Sequence, residues 1–557
     1  MPVVRRIGPL SAFALLLLTD GCGRGSGESP RGIESMYQDV RASKDEIEVT
    51  RARGANQTSE GVALTDVMAR YTTARTRLTA ALRSVRLDRL PPEDRRVLDA
   101  IRLAAEKDLL HEDPGSGSAD AKREVDCAYD PGVLSAGATG LRDLSDRMYA
   151  CFGRAARRLT FEGRTLDRLT VMSLLPVTDD EARRQGLFLA LEPVWRSIDG
   201  DARPATSPYR HLVHLSAERL AACRTSVESV AVELGIEPRL VEPWLTSVLD
   251  AWRRITPGQT IEPWDFAYRA GATYRALDRA IPLANLRNVN DRFYKDLGAD
   301  VAALGIRYDL EPREGKDPVA FTTFRVRPRL LDGTWRPGEP WVFATYRVGG
   351  IDSLSELLHE SGHAVHLAAI RTRPAFMDWP DSDVLTEAIA DVPALEMFEP
   401  EWQRKYLGTS VPVADVIRAK YAGIVMDTAW ALFEIRMHRD PDADPNRVWT
   451  EITERYFRIR PHPELSWWAL RGQLISAPGY MVTYAIGAIV AADLRARVKE
   501  THGPYAEGDP TWYPWMTERL YRYGLERPSQ RVVEDFLGRS ISPRALIEDL
   551  SRAGSTP

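Results

Sequence analysis

The sequence is poor in cysteine and histidine, with four and nine of them among 557 residues. No two cysteines have a C-x-x-C spacing, so a cysteine-based metal site is not expected. A net charge of −5 without any basic run gives no indication of a nucleic-acid partner. Strand-like alternation is rare, whereas amphipathic helical periodicity recurs along most of the chain. The sequence therefore predicts a mainly helical protein.

The N-terminal segment has the pattern of an export signal. Arg5 and Arg6 precede an apolar stretch that ends at Leu18 and is too short for a stable membrane span. We therefore expect a signal peptide over residues 1–21. The ending TDGC resembles a bacterial lipobox, which implies that Cys22 is lipidated and that the protein is membrane-anchored, facing the periplasm or cell surface. The alternative is a soluble exported protein in which Cys22 is incidental.

The rest of the chain divides into a short linker and one large helical region. GRGSGESPRG predicts a flexible tether over residues 22–59. Residues 60–555 are expected to form the functional domain. Its one β-rich stretch, 318–349, leads directly into a helix at 354–367, and a strand there would offer an extended peptide an edge to pair with.

Three cysteines remain beyond the signal segment, namely Cys127, Cys151 and Cys223. Export would permit disulfides. Cys127 and Cys151 are the nearest candidates for a pair, but buried free cysteines are equally compatible with the sequence.

The helix at 354–367, LSELLHESGHAVHL, carries polar residues with the spacing of a metal site. His359 and His363 are four residues apart, so both imidazoles lie on one helical face and can approach one ion. Glu360 flanks that ion without binding it, where it can take a proton from water. The alternative is a helix with incidental histidines.

A hydrolytic zinc ion needs a third protein ligand and an open position. A third histidine in the metzincin spacing is excluded, because His366 stands where that pattern has glycine and Ala369 where it has histidine. A glutamate on the following helix is the other common ligand, and Glu387 in DSDVLTEAIADVPALEMF is the best candidate. Asp391, one turn later, could orient a ligating imidazole. Asp383 and Glu396 are weaker candidates for the ligand.

These segments together resemble gluzincin metallopeptidases. HESGHAVH resembles the HExGHAxH of thimet-type oligopeptidases, TEAIADVPAL is similar to the corresponding segment of angiotensin-converting enzyme, and EPWDFAY resembles the oligopeptidase Trp-Asp segment. The resemblance implies a two-lobed helical protein with a deep central cleft and a small β-sheet beside the metal helix. It also implies one Zn²⁺ held by His359, His363 and Glu387.

The same families place an oxyanion-stabilising tyrosine on a late helix. Alignment with the converting enzyme implies Tyr484, with Tyr480 as a peptide-binding neighbour, whereas the oligopeptidase pattern would place the tyrosine at Gly487. A histidine that assists the oxyanion in both families is missing, and Gln473 is the nearest polar residue. Arg471 is the candidate to bind a substrate's C-terminal carboxylate.

The resemblance implies a monomeric, zinc-dependent oligopeptidase that hydrolyses short peptides outside the inner membrane. One alternative is a dipeptidyl carboxypeptidase of the converting-enzyme type. The other is a non-catalytic peptide-binding lipoprotein, against which the presence of Glu360 argues, because a binder needs no base beside its metal.

Overall fold

The computed structural model describes residues 29–85, 90–110, 127, 140–203, 206–313, 316, 320–331, 334–476 and 478–554. The signal peptide, the lipidation site at Cys22 and the first part of the tether lie outside the described residues. Helices dominate and the strands are short, which confirms the mainly helical class. Within the described residues, no helix combines the length and apolarity needed to cross a membrane.

The α-helices vary from four to 27 residues in length. Their bounds are Pro30–Ala52, Leu64–Ser84, Pro92–Leu110, Leu141–Ala155, Arg168–Leu174, Glu181–Leu189, Glu192–Asp199, Pro208–Ala222, Pro238–Ile255, Phe266–Ala270, Ala272–Leu277, Leu286–Asp296, Ile351–Ala369, Asp383–Ala394, Pro400–Leu407, Val413–Arg439, Pro445–Phe457, Gln473–Ser476, Tyr480–Thr501, Trp512–Arg519, Ser529–Leu537 and Arg544–Ser551. The 3₁₀ turns span Val227–Leu234, Pro263–Asp265, Asp278–Ala280, Leu283–Asn285, Pro374–Phe376, Leu395–Phe398, Trp467–Leu470, Tyr521–Tyr523 and Arg552–Gly554.

Four helices of the described chain carry or contact the residues that the sequence singled out. They are the HExxH helix (Ile351–Ala369), the glutamate helix (Asp383–Ala394), the long helix (Val413–Arg439) and the tyrosine helix (Tyr480–Thr501).

The strands form one three-stranded sheet and two small hairpins. They are β1 (Leu159–Phe161), β2 (Arg164–Leu166), β3 (Arg307–Asp309), β4 (Phe321–Val326), β5 (Arg329–Leu331), β6 (Thr334–Arg336) and β7 (Glu339–Phe343). The larger sheet has the order β3-β7-β4, with β7 parallel to β3 and antiparallel to β4, and β1-β2 and β5-β6 form the hairpins.

The expectation that the strand before the HExxH helix offers an edge is wrong. β7 is the central strand of the sheet. It pairs with β4 on one side and with β3 on the other, so it has no free edge. In the register of the antiparallel pair, Thr322 lies opposite Val342. The outer strand nearest the site is β4, whose Thr322 contacts the HExxH helix.

The expected tether over residues 22–59 is wrong over most of its described part. Residues Pro30–Ala52 form a helix, with the Ser29 side chain as its N-cap and proline at its first position. Ile33, Tyr37 and Val40 recur at helical spacing and are buried against a separate small core that also contains residues of the next two helices. Their burial stabilises a folded helix where composition alone suggested a flexible chain.

The main core extends from Leu144 to Ala553 and unites the rest of the helices with the inner faces of the sheet. Cys127 and Cys151 form a disulfide, so the paired alternative is the observed one, whereas Cys223 is a free cysteine at the surface.

Candidate metal centre

Most residues of the HExxH helix are buried, so each polar side chain on it needs a partner or a function. Leu354, Leu357, Leu358 and Val365 are fully buried in the main core and fix the helix in place. The opposite face carries His359, Glu360 and His363. Polar groups in such a setting are costly unless they are paired or bind an ion.

The ligand atoms of His359, His363 and Glu387 all lie within 4.8 Å of one another. The two Nε2 atoms are 3.1 Å apart, and the Nε2 of His359 is 3.4 Å from a carboxylate oxygen of Glu387. A tetrahedral ion with ligands at about 2.0–2.1 Å separates those ligands by about 3.3 Å. Two imidazoles and one carboxylate at these distances fit a divalent ion such as zinc.

Asp391 orients the first imidazole. Its Oδ1 accepts a hydrogen bond from Nδ1 of His359 at 2.8 Å, which turns the Nε2 of that ring toward the ligand cluster. Burial lowers the pKa of His359, but Asp391 and Glu387 outweigh it, and the net pKa is well above the usual value. An ion at the site would therefore compete with a proton at His359.

The second imidazole is held in the neutral form that a metal ligand requires. Burial, together with the His359 charge, lowers the pKa of His363 well below its usual value. Its Nδ1 is buried and has no hydrogen-bond partner in the described part of the chain.

Glu360 lies beside the ligand cluster and is not part of it. Its side chain is buried, and burial raises its pKa to about 7, although the His359 charge and a Thr322 hydrogen bond lower it. The Thr322 hydroxyl is 2.8 Å from Oε2 and 2.9 Å from the main-chain oxygen of Glu360. A carboxyl with this pKa is suited to exchange protons near neutral pH.

The close approach of the HExxH helix to the glutamate helix depends on Gly362. A Cβ atom at this position would lie 2.6 Å from the main-chain oxygen of Ala390 and 2.9 Å from its Cα. Only glycine therefore allows the HExxH helix to cross the glutamate helix this closely. The crossing brings Glu387, 24 positions after His363, into reach of the two imidazoles.

The tyrosine helix packs against the glutamate helix. The rings of Tyr480 and Tyr484 meet edge to face with centroids 5.0 Å apart, and both side chains are partly exposed. Burial raises the pKa of both hydroxyls, and the Glu387 carboxylate raises them further. Both hydroxyls thus stay protonated near neutral pH and are hydrogen-bond donors close to Glu387. At Gly487 the backbone runs past Glu387, since a Cβ there would lie 4.0 Å from the Cβ of Glu387.

Gln473 and Arg471 lie beside Tyr484. The Gln473 side chain is buried and its hydrogen bond lowers the pKa of Tyr484, as does the Arg471 charge. Arg471 pairs with Asp427 and stacks over Trp430 at 4.7 Å, while its buried Nε has no partner in the described residues.

Three other polar residues are not part of the ligand cluster that the described residues form. His462 is bound by Glu262 at 2.8 Å and by Glu464 at 2.7 Å. Glu396 pairs with Arg495 in the core at 2.6 Å. Asp383 begins the glutamate helix, although the cap is Ser382.

Thr322 is the site residue that sequence reasoning missed. It lies 38 positions before Glu360 and reaches it only through the sheet. The recognised β-rich stretch 318–349 contained it, but no spacing marks one residue of a strand as a partner of a residue on a helix. The upstream Trp-Asp segment has a structural partner instead, because Asp265 pairs with buried Arg184 at 2.6 Å.

The comparisons with known proteins concern the fold. No family model matches the chain, and no curated protein matches it either. Among solved structures, the chain is similar to an M32 carboxypeptidase from Deinococcus radiodurans R1, with a TM-score of 0.57 and 14% identity over 94% of this chain and 98% of that one. PZ peptidase A gives a TM-score of 0.55 and 14% identity over 96% and 99% of the two chains. An oligoendopeptidase F from Bacillus anthracis str. Ames gives 0.52 and 13% over 94% and 95%.

The chain has a metallopeptidase fold. At 13–14% identity these likenesses show the fold alone. Membership of the thimet-type or converting-enzyme families therefore stays a prediction.

We predict that Gly362→Ala reduces zinc affinity, because the new Cβ forces the glutamate helix away from the imidazoles. A ligand shift of this kind should weaken binding by about 10–100-fold. The measurement is a competitive zinc titration of purified protein. Gly423→Ala on the long helix is the matched control, since no atom lies within 4 Å of its added Cβ. Equal zinc affinities of the two variants would contradict the assigned role of Gly362.

Proposed function

We propose that the protein is a zinc-dependent metallopeptidase that hydrolyses short peptides. The observation that carries the proposal is the convergence of His359, His363 and Glu387 on one point beside the buried carboxyl of Glu360. Three protein ligands with one open position are typical of catalytic zinc, whereas structural zinc is closed by four.

The residues divide the chemistry among them. His359, His363 and Glu387 would hold the ion, which would supply Lewis-acid activation of water and of the scissile carbonyl. Glu360 takes a proton from the attacking water and returns it to the leaving amine. The Thr322 hydroxyl holds the Glu360 carboxylate in place. Asp391 holds His359 in the tautomer that binds the ion.

Stabilisation of the oxyanion is assigned to a side chain of the tyrosine helix. Tyr484 donates a hydrogen bond to the developing charge, with Tyr480 as its neighbour toward the peptide. The families that this chain resembles have a histidine that assists the oxyanion. The hydrogen bond between Gln473 and Tyr484 favours the Gln473 amide as its replacement.

We further propose that the protein is an exported lipoprotein that degrades short peptides outside the inner membrane. The proposal rests on the signal-like residues 1–21 and on Cys22. The disulfide between Cys127 and Cys151 supports it, because such bonds persist in oxidising compartments.

A dipeptidyl carboxypeptidase is the second candidate. Arg471 favours it, since this partly buried guanidinium lies close enough to Tyr484 to lower its pKa and keeps one nitrogen without a described partner. Its pairing with Asp427 favours a structural role instead.

Replacing Glu360 by Gln should lower peptide hydrolysis by about 10²–10⁴-fold, because the base is lost, and should leave zinc bound. The measurement combines a quenched-fluorescent peptide assay, with and without chelator, and metal analysis. Glu451→Gln, an exposed glutamate of the helix Pro445–Phe457, is the control. Chelator-resistant hydrolysis, or a Glu360→Gln variant as active as the control, would refute the proposal.

Replacing Tyr484 by Phe should lower kcat by about 10²–10³-fold with little change in KM, because the hydroxyl acts on the transition state. Tyr480→Phe is the matched variant and should lose less than about tenfold. Steady-state kinetics of both variants on one peptide decide the question. The reverse order of effects would assign the oxyanion to Tyr480.

Replacing Thr322 by Val should move the acidic limb of kcat/KM to higher pH by about one unit. The hydroxyl stabilises the ionised Glu360, so its loss raises the pKa of a base that works deprotonated. Thr322→Ser keeps the hydroxyl and should keep the wild-type profile. A limb that stays in place, or that moves to lower pH, contradicts this contact's role.

Peptides with free and amidated C-termini should be cleaved at similar rates if the protein is an endopeptidase. If amidation abolishes turnover and Arg471→Gln raises KM only for peptides with a free carboxylate, the dipeptidyl carboxypeptidase is the correct assignment. Comparison of kcat/KM over a matched peptide pair measures this directly.

A further inference from the structure

Glu434, near the end of the long helix, is a fully buried carboxyl outside the metal centre. No ion pair joins it to a lysine or arginine within the described residues. Burial raises its pKa to about 8, against hydrogen bonds from the backbone of Gly479 and Met481 that lower it. A buried carboxyl without a cation is costly and therefore calls for a specific role.

Its described side-chain contact is with the start of the tyrosine helix. The Oε1 of Glu434 accepts a hydrogen bond of 2.6 Å from the main-chain N–H of Gly479, while its Oε2 has no partner in the described part of the chain. Gly479 is the N-cap of the tyrosine helix and has a φ of +93°. The main-chain N–H of an N-cap residue has no acceptor within its own helix, and Glu434 of the long helix supplies that acceptor for Gly479.

The anchored turn carries the two candidate oxyanion residues. Tyr480 is the first residue of the tyrosine helix and Tyr484 lies one turn later, with their rings in contact. A shift of the first turn therefore moves both hydroxyls relative to Glu387. Displacements of about 1 Å at a catalytic group cost about 10²-fold in rate.

We propose that Glu434 is a positioning residue, which holds the first turn of the tyrosine helix through Gly479 and so places Tyr484 at the metal centre. The inference rests on the proposed function for its catalytic consequence. The anchoring of the turn itself is independent of that function.

The decisive pair of variants is Glu434→Leu and Glu434→Gln. Leucine keeps the volume and removes the acceptor, whereas glutamine keeps an acceptor oxygen without the buried charge. We expect Glu434→Leu to lower kcat about tenfold with KM within about twofold, and Glu434→Gln to retain wild-type kinetics. Both should bind zinc as the wild type does.

A double-mutant cycle distinguishes positioning from general destabilisation. If Glu434 acts through Tyr484, then Glu434→Leu should cause no further loss of kcat in a Tyr484→Phe background. Losses that multiply in the double variant would overturn the proposal.

Hydrogen exchange of the full-length chain tests the anchoring without any activity. The amides of residues 480–484 should exchange about tenfold faster in Glu434→Leu, with the HExxH helix unchanged. Unchanged exchange at 480–484 would refute the anchor even if Glu360→Gln has confirmed the peptidase. A wild type without hydrolysis would refute the peptidase and leave the exchange result valid.

Gly479→Ala is a second variant that tests the same anchor if Glu434→Leu does not fold. The nearest atom to the added Cβ is 3.5 Å away, so the substitution strains the positive φ of the cap without a clash. It should cause the same loss of kcat and the same faster exchange at 480–484. Wild-type values for both would contradict the proposal.

Discussion

The candidate site depends on the short distance at which the HExxH helix crosses the glutamate helix. Gly362 lets the backbone of the HExxH helix touch the backbone of the glutamate helix at Ala390, where any Cβ would clash. Side chains from two helices can share one ion only if the helix axes lie close together and their rotation is fixed. The leucines behind His359 and His363 fix that rotation through burial in the main core. The ion site is thus a consequence of packing that the apolar residues enforce.

The tyrosine helix extends the same unit. It runs past the glutamate helix at Gly487, and further along its Arg495 pairs with buried Glu396 just after that helix ends. Breaking such a buried pair is costly because an uncompensated charge remains. The tyrosine helix is therefore held to the glutamate helix at its C-terminal half and, through Gly479, to the long helix at its start. The candidate metal ligands and the two tyrosine hydroxyls are consequently fixed by one connected set of helix contacts.

Residue spacing predicted the features that depend on neighbouring residues. It did not predict contacts between residues that lie far apart in the sequence. The i, i+4 pair of histidines, the mainly helical class and the place of Asp391 beside His359 follow from periodicity or from a short motif. Glu387 was predicted from the ligand set that hydrolytic zinc usually has, and the family resemblance then implied the same residue. Thr322 and the central position of β7 arise from strand pairing, which no local pattern encodes. The helix at Pro30–Ala52 was obscured by the Gly/Ser composition just before it, although Ile33, Tyr37 and Val40 already had helical spacing.

The histidine that assists the oxyanion in the families this chain resembles is missing from its sequence, and the nearest polar residue is Gln473. An imidazole near the oxyanion titrates close to neutral pH, whereas the amide of Gln473 does not titrate at all. Gln473 is buried and its hydrogen bond lowers the pKa of Tyr484, yet the hydroxyl remains protonated because burial and Glu387 raise that pKa more. If Tyr484 stabilises the oxyanion as proposed, that stabilisation does not change with pH over the neutral range. The pH dependence of the proposed activity then arises from Glu360 and from protons that compete with the ion for its ligands.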